Sequence, residues 1–236
     1  MGRIGFGYGS EWHLLRYLGR HRTRLNALIM EAAGWAPGSS IEWLDFRFGK
    51  PQRMLDAEWT GLQFLDKNQY PEIHLAWQRT WPQRGQDMNW DAIAWVHTTG
   101  GGRPTLLLVE GKSHPEELTG SSCRATEPSL SKIQAALDWT KARLGVVPEK
   151  VWTKKYYQFA NRLFVREFLG DFGCFNVLLV NLYFLGDALP WDVRGCPQTR
   201  EEWYGHLDHM REHLGITEEA LSGKVLDVFV PVDGKF

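Results

Sequence analysis

Cysteine is scarce in this chain. Cys123, Cys174 and Cys196 are 3 in 236 residues, far apart and without a CxxC pair, which argues against a disulfide framework and for reduced, structural thiols. Long apolar runs are missing as well. The most apolar stretch, Cys174 to Leu185, carries Asn176 and Asn181 and is too short to span a bilayer, so a buried strand is expected there and no membrane partner. The Gly-rich start, Met1 to Ser10, has no apolar h-region; a signal peptide is not expected and the cytoplasm is the expected location. Neither sign of charge is in excess, with 27 Lys+Arg against 28 Asp+Glu and a net charge of −1. A polyanionic partner would have to be met by local basic patches, since there is no global field to attract it. There is no internal repeat and no long polar linker to divide the chain.

What is present is a core. Hydrophobic residues make up 43% and aromatics 13%, including 12 tryptophans, which excludes a disordered protein. The length suits one large domain, residues 1–236, with a Trp-rich insertion between Arg53 and Gln86 and a C-terminal helix-strand extension over 199–236. Ser10 to Ala33 reads as a helix capped by Ser10, with Leu14, Leu15, Leu18, Leu25, Leu28 and Ile29 on one stripe and Gly34 and Pro37 as the stop. Ile41 to Phe48 reads as a strand. Trp90 to Val96 and Thr105 to Gly111 read as two more around a Gly-rich turn. Ser129 to Leu144 and Trp152 to Leu169 are predicted helices, Phe175 to Phe184 a strand, Thr199 to Leu214 a helix with a capping box, and Val225 to Val230 a last strand. Strands interleaved with helices imply an α/β domain with a mixed central sheet.

If the two strands pair as a hairpin with Thr98 to Arg103 as its loop, His97 faces Pro104 and Asp91 falls opposite Glu110. The period of two puts Glu110 and Lys112 on one face and turns Gly111 away. Opposed carboxylates repel, and a divalent cation removes the conflict. Mg²⁺ takes one or two carboxylates plus waters and substrate phosphate, so Asp91 and Glu110 suit it, with the Gly111 carbonyl free to approach. Lys112 is placed to hold water or stabilise developing negative charge. His114 continues the same-face series and is a candidate phosphate contact. Because the carboxylates repel, removing either is expected to leave metal-free stability unchanged or higher.

Asn89-Trp90-Asp91 followed by Leu106-Leu107-Leu108-Val109-Glu110-Gly111-Lys112 resembles the Asp…Glu-X-Lys signature of the PD-(D/E)XK nuclease superfamily. The resemblance implies a restriction-endonuclease-like αβββαβ core, Mg²⁺ (or Mn²⁺) held by Asp91 and Glu110, and a catalytic Lys112. Trp90 stands where the motif's name has proline, which the family tolerates. An acid from the first helix often joins the ligands in this family, and Glu11 fits that place; the bland alternative is a first-turn acid complementing the helix dipole. A polar residue from the later helices often completes such sites, which singles out Lys132, Gln134, Gln158 and Arg162, with Ser131 and Asn161 beside them; ordinary amphipathy is the alternative.

Two basic faces, Arg16 to Arg24 and Lys150 to Arg166, suit a phosphate backbone or a merely solvated surface. His206, His209 and His213 recur on one helix without the HExxH acid, so a structural role is expected. Cys123 as a nucleophile partnered by His114 lacks an oxyanion-loop signature. The expected function is divalent-metal-dependent (endo)nuclease hydrolysis of phosphodiester bonds in DNA, helped by a targeting protein partner or as a homodimer. The rivals are a non-cleaving nucleic-acid or protein-binding module on the same scaffold, and a metal-dependent hydrolase of a small substrate.

Overall fold

The computed structural model describes residues 8–48, 56–83, 87–187 and 195–233. In chain order the elements are helices α1 (Ser10–Arg20) and α2 (Arg22–Ala33), then strands β1 (Ser40–Trp43), β2 (Arg47–Phe48), β3 (Asp56–Ala57) and β4 (Trp59–Thr60). Helix α3 (Pro71–Thr80) leads to β5 (Asn89–Trp90), β6 (Ala92–His97) and β7 (Thr105–Lys112). Helices α4 (Pro115–Thr119), α5 (Ser129–Arg143) and α6 (Tyr157–Asp171) precede β8 (Asn176–Leu185); α7 (Arg200–Leu214), α8 (Glu218–Leu221) and β9 (Val225–Pro231) follow.

Five strands form the central sheet in the order β1-β6-β7-β8-β9. The first three pair antiparallel, and β8 and β9 run parallel to β7. A parallel neighbour needs a long crossover, and the helices between β7 and β8 and between β8 and β9 supply them. Strand β7 is buried from Thr105 through Gly111, which is why Leu106 to Val109 is a continuous apolar run without alternation. One face of the sheet is covered by α1 and α2, where Leu14, Tyr17, Leu25 and Ile29 pack on Leu107, Val109 and Val180. The other is covered by α3, α5, α6 and α7, where Ile73, Leu137, Phe164 and Trp203 belong to a cluster with Leu106, Leu108 and Leu179. The protein is therefore α/β, with a mixed five-stranded sheet flanked by helices. No helix among the described residues is long and apolar enough to cross a membrane.

Several boundaries differ from the expectation. The first helix is two, because His21 leaves helical geometry at φ −128°, ψ 28° and Arg22 Nε donates back to Leu18 O at 2.8 Å. Ser10 is not the cap; Gly9 holds that position, and Ser10 Oγ donates to Glu117 Oε2 at 2.7 Å. The strand expected over Ile41 to Phe48 stops at Trp43, and Arg47–Phe48 pairs with Asp56–Ala57 in a separate ribbon. The helix expected from Trp152 starts at Tyr157. The Trp152 indole is buried and donates to Leu214 O at 2.9 Å, so the chain must turn through Tyr156, at φ 61°, before it can coil.

The ends of the Trp-rich segment, residues 53–55 and 84–86, lie outside the described residues. Its described part belongs to the core. Trp77 and Trp81 stack with ring centroids 5.6 Å apart, and Trp81 stacks on Phe164 of α6 at 5.0 Å. Gly61 is required here: at φ +56° it lies so close to the Asp87 carboxylate that an added Cβ would fall 2.2 Å from Oδ2. The C-terminal helix-strand segment, described through residue 233, contributes α7 and β9, and β9 pairs with β8 in the central sheet.

Candidate active site

The β6–β7 hairpin pairs Ala92 with Val109 and Ile93 with Leu108. One step further, Asp91 falls across from Glu110, as the hairpin count anticipates, but it lies in a bend between β5 and β6 and not within a continuous strand. The bend arises because Trp90 is already committed: it pairs with Trp59, and its indole donates to Gly61 O at 2.9 Å. Asp91 then turns its carboxylate toward β7, where Oδ2 accepts the Gly111 N–H at 2.8 Å. An added Cβ on Gly111 would meet the Phe184 ring at 3.4 Å and Asp91 Oδ2 at 3.8 Å, ordinary contact distances, so packing alone does not require glycine between Glu110 and Lys112.

Glu110 is 3% exposed and its carboxylate is fully engaged. Oε1 accepts from Arg162 Nε at 2.5 Å; Oε2 accepts from Gln158 Nε2 at 3.1 Å and lies 3.4 Å from Lys112 Nζ. Arg162 in turn donates to Asn161 Oδ1 at 2.9 Å and to the Asn89 carbonyl, and lies over the Trp90 ring at 4.7 Å. Asp91 is pushed up to about 7, mainly by burial and next by the Glu110 charge, against the opposing pull of Lys112, the Gly111 N–H and Arg162. It therefore takes up a proton at a pH where an ordinary carboxylate would not.

Asp91 and Arg162 line a cleft of about 810 Å³ together with Asp87, Asn89, Cys123 and Tyr157, whereas Glu110 and Lys112 line a separate small pocket with Gln158, Arg162 and Tyr183. The Tyr157 hydroxyl is held well above its ordinary range by burial and by Cys123 beside it. Cys123 thus faces a tyrosine, and His114 lies elsewhere.

Asp91, Glu110, Gly111, Lys112, Gln158 and Arg162 are brought together; four other candidates are not. Glu11 is exposed, because α1 turns His13, Leu14, Tyr17 and Leu18 inward, so the stripe that was to carry Glu11 and Leu15 is rotated away. Lys132 is exposed and Gln134 bonds Asp138 at 3.0 Å; neither lines the cleft, which α5 reaches through Ser129 and Ile133. His114 is 2% exposed and is the N-cap of α4, so it is sealed from substrate; its ring lies 3.7 Å from Asp187 Oδ2. With Glu11 removed, no three His, Cys, Asp or Glu side chains among the described residues form a metal cluster. A cation at this strand end would rest on Asp91, Glu110, backbone and water.

Two polar assemblies beside the site escape sequence reading. Beneath α1, fully buried His13 meets Asp187 at 2.9 Å, and Asp187 Oδ2 also accepts the Gly9 N–H at 2.9 Å. On the cleft side of the sheet, Glu110, Asn181 and Asp227 stand level on β7, β8 and β9. Asn181 donates to Asp227 Oδ1 at 2.9 Å, and Arg211 holds Oδ2 at 2.7 Å. Polar residues inside otherwise apolar strands are the sequence signal, but their partners lie on other elements.

The basic faces are largely occupied by structure. Arg16 donates to Val232 O, Arg22 to Leu18 O, Lys150 to Glu212 O and Arg166 to Val177 O. His209 contacts Lys155 Nζ at 3.3 Å, and the Tyr156 ring packs against His213 at 5.3 Å. Set against protein-family models, curated proteins and solved structures, this chain finds no match.

Proposed function

We propose that this protein is a divalent-metal-dependent nuclease of the restriction-endonuclease-like fold, hydrolysing phosphodiester bonds in DNA at the strand end that carries Asp91, Glu110 and Lys112. The reading rests above all on the convergence of two acids and an amine at one strand end, with Glu110 and Lys112 3.4 Å apart and Asp91, which lines the cleft, tied to the glycine between them. The order helix, antiparallel three-strand meander, helices and parallel strand supports the fold assignment. The half-buried Asp91, whose carboxyl is raised to about 7 by desolvation and then by the Glu110 charge, fits a site completed by a cation. Asp91 and Glu110 would hold Mg²⁺ or Mn²⁺, with the Gly111 carbonyl and water completing the shell. When bound, such an ion polarises a phosphoryl oxygen and lowers the pKa of water. Lys112 supplies a fixed positive charge where negative charge develops, and the Gly111 N–H orients Asp91.

One observation favours a second reading. The Arg162 guanidinium already neutralises Glu110, as it would in a module that binds nucleic acid or protein without cutting, within a complex or as a homodimer.

The deciding experiment is nicking of plasmid and single-stranded DNA with Mg²⁺, Mn²⁺ or EDTA. Asp91→Ala and Glu110→Ala should abolish cleavage, and Lys112→Ala should slow it by about 10²-fold or more. A wild type inert on every nucleic acid and unaffected by either ion would reject the nuclease and leave the binding module. Cleavage surviving in Asp91→Ala would place the activity at another site.

A further inference from the structure

Arg162 is 4% exposed, and its contacts fix it from several sides. Nε meets Glu110, one terminal nitrogen meets Asn161, the other meets the Asn89 carbonyl, and the guanidinium plane lies over Trp90. Burying a guanidinium is unfavourable unless a carboxylate and further acceptors compensate it, and here they do. The carboxylate it engages is the one that a cation would need. Glu110 cannot serve Arg162, Lys112 and a divalent ion at once without packing three like charges around one buried carboxylate. Arg162 is also among the residues lining the 810 Å³ cleft, where a substrate phosphate would lie. A guanidinium matches a phosphate as well as it matches a carboxylate.

We infer that Arg162 is the resident cation of the ion-free site: it competes with the divalent ion for Glu110 and, once displaced, binds a phosphate of the nucleic acid in the cleft. This inference rests on the reading that Asp91 and Glu110 hold a divalent ion. It has a thermodynamic consequence. An ion frees Arg162 for phosphate, and phosphate holding Arg162 frees Glu110 for the ion, so each tightens binding of the other by the same factor.

The test is calorimetric titration of Mn²⁺ into wild type, Arg162→Met and Arg162→Lys, each with and without a phosphorothioate dinucleotide that resists hydrolysis. In wild type the dinucleotide should tighten Mn²⁺ binding about fivefold or more. Arg162→Met should bind Mn²⁺ more tightly than wild type by a similar factor and show no effect of the dinucleotide. Arg162→Lys keeps the charge but cannot span Glu110, Asn161 and Asn89 together. It should also bind Mn²⁺ more tightly than wild type, and it decides the matter if the Met variant does not fold. Equal or weaker Mn²⁺ binding in the folded variants overturns the competition while leaving the metal site standing. No Mn²⁺ binding in any of the three overturns the metal reading, and the competition with it.

Discussion

Asp91 Oδ2 accepts the backbone N–H of Gly111 at 2.8 Å, so the carboxylate at the start of one strand is fastened to the strand that carries Glu110 and Lys112. That bond favours the ionised carboxylate, yet burial and the neighbouring Glu110 outweigh it and raise Asp91 to about 7.

The pH dependence of the metal-free protein follows. The folded state keeps the Asp91 proton to about pH 7, whereas the unfolded chain releases it near the ordinary aspartate value of about 3.9. Stability should therefore fall as pH rises between those two values. Asp91→Asn keeps an acceptor for Gly111 and loses the charge. At pH 8 without metal it should be more stable than wild type, by up to about 2–4 kcal/mol, and the slope should shrink to the part left by Asp87 and Asp227, whose carboxyls are also raised by burial. Added Mn²⁺ should raise the melting temperature of wild type and leave that of the variant unchanged.

Glu110 behaves in the opposite way. Removing either carboxylate was expected to spare metal-free stability, but Glu110 neutralises buried Arg162. Glu110→Ala strands that guanidinium and should cost about 3–5 kcal/mol in denaturant unfolding. Adding Arg162→Met should recover part of the loss, because the second change removes the charge that the first left unpaired.

Asp187 should report acid sensitivity. Burial raises its pKa, but His13, the Gly9 N–H and Ser113 together outweigh burial and hold it below the usual carboxylate range. A depressed carboxylate stabilises above its unfolded pKa, and that stability is lost as pH falls through the folded value. Asp187→Asn should cost about 1.5–3 kcal/mol at pH 7. Chemical melts across pH should show the difference shrinking below the ordinary aspartate value.

Gly61→Ala should destabilise by about 1–3 kcal/mol or more, because its φ of +56° disfavours a side chain and the new methyl would strike Asp87. A neutral result in thermal melts would mean that the 59–61 turn and Asp87 separate easily.

The hairpin was legible because its register depends only on local facts: two apolar runs, a glycine-rich turn and a period of two. Ala92 pairs with Val109 for that reason, and the juxtaposition of Asp91 with Glu110 follows. Periodicity also found β7, β8 and α7. It failed where one residue redirects the chain. His21 breaks a stripe that reads as continuous, and α1 buries His13, Leu14, Tyr17 and Leu18, which leaves Glu11 outward. Nothing within one element could reveal Arg162 on Glu110, since the two are 52 residues apart and their contact depends on how α6 crosses β7. Asp187 with His13 and Asp227 with Asn181 were hidden for the same reason.

The level row of Glu110, Asn181 and Asp227 works as a registration mark for assembly. A slip of one residue by β8 would swing Asn181 toward α1 and α2 and bring Val180 or Leu182 beside Glu110, leaving polar atoms without acceptors in an apolar layer. Strand β9 thus checks, through Asn181, the alignment of β8 beside the strand that bears Glu110. A fragment ending before Val225 would keep Asp91, Glu110 and Lys112 in its sequence but lose the β9 partner that aligns β8 beside them.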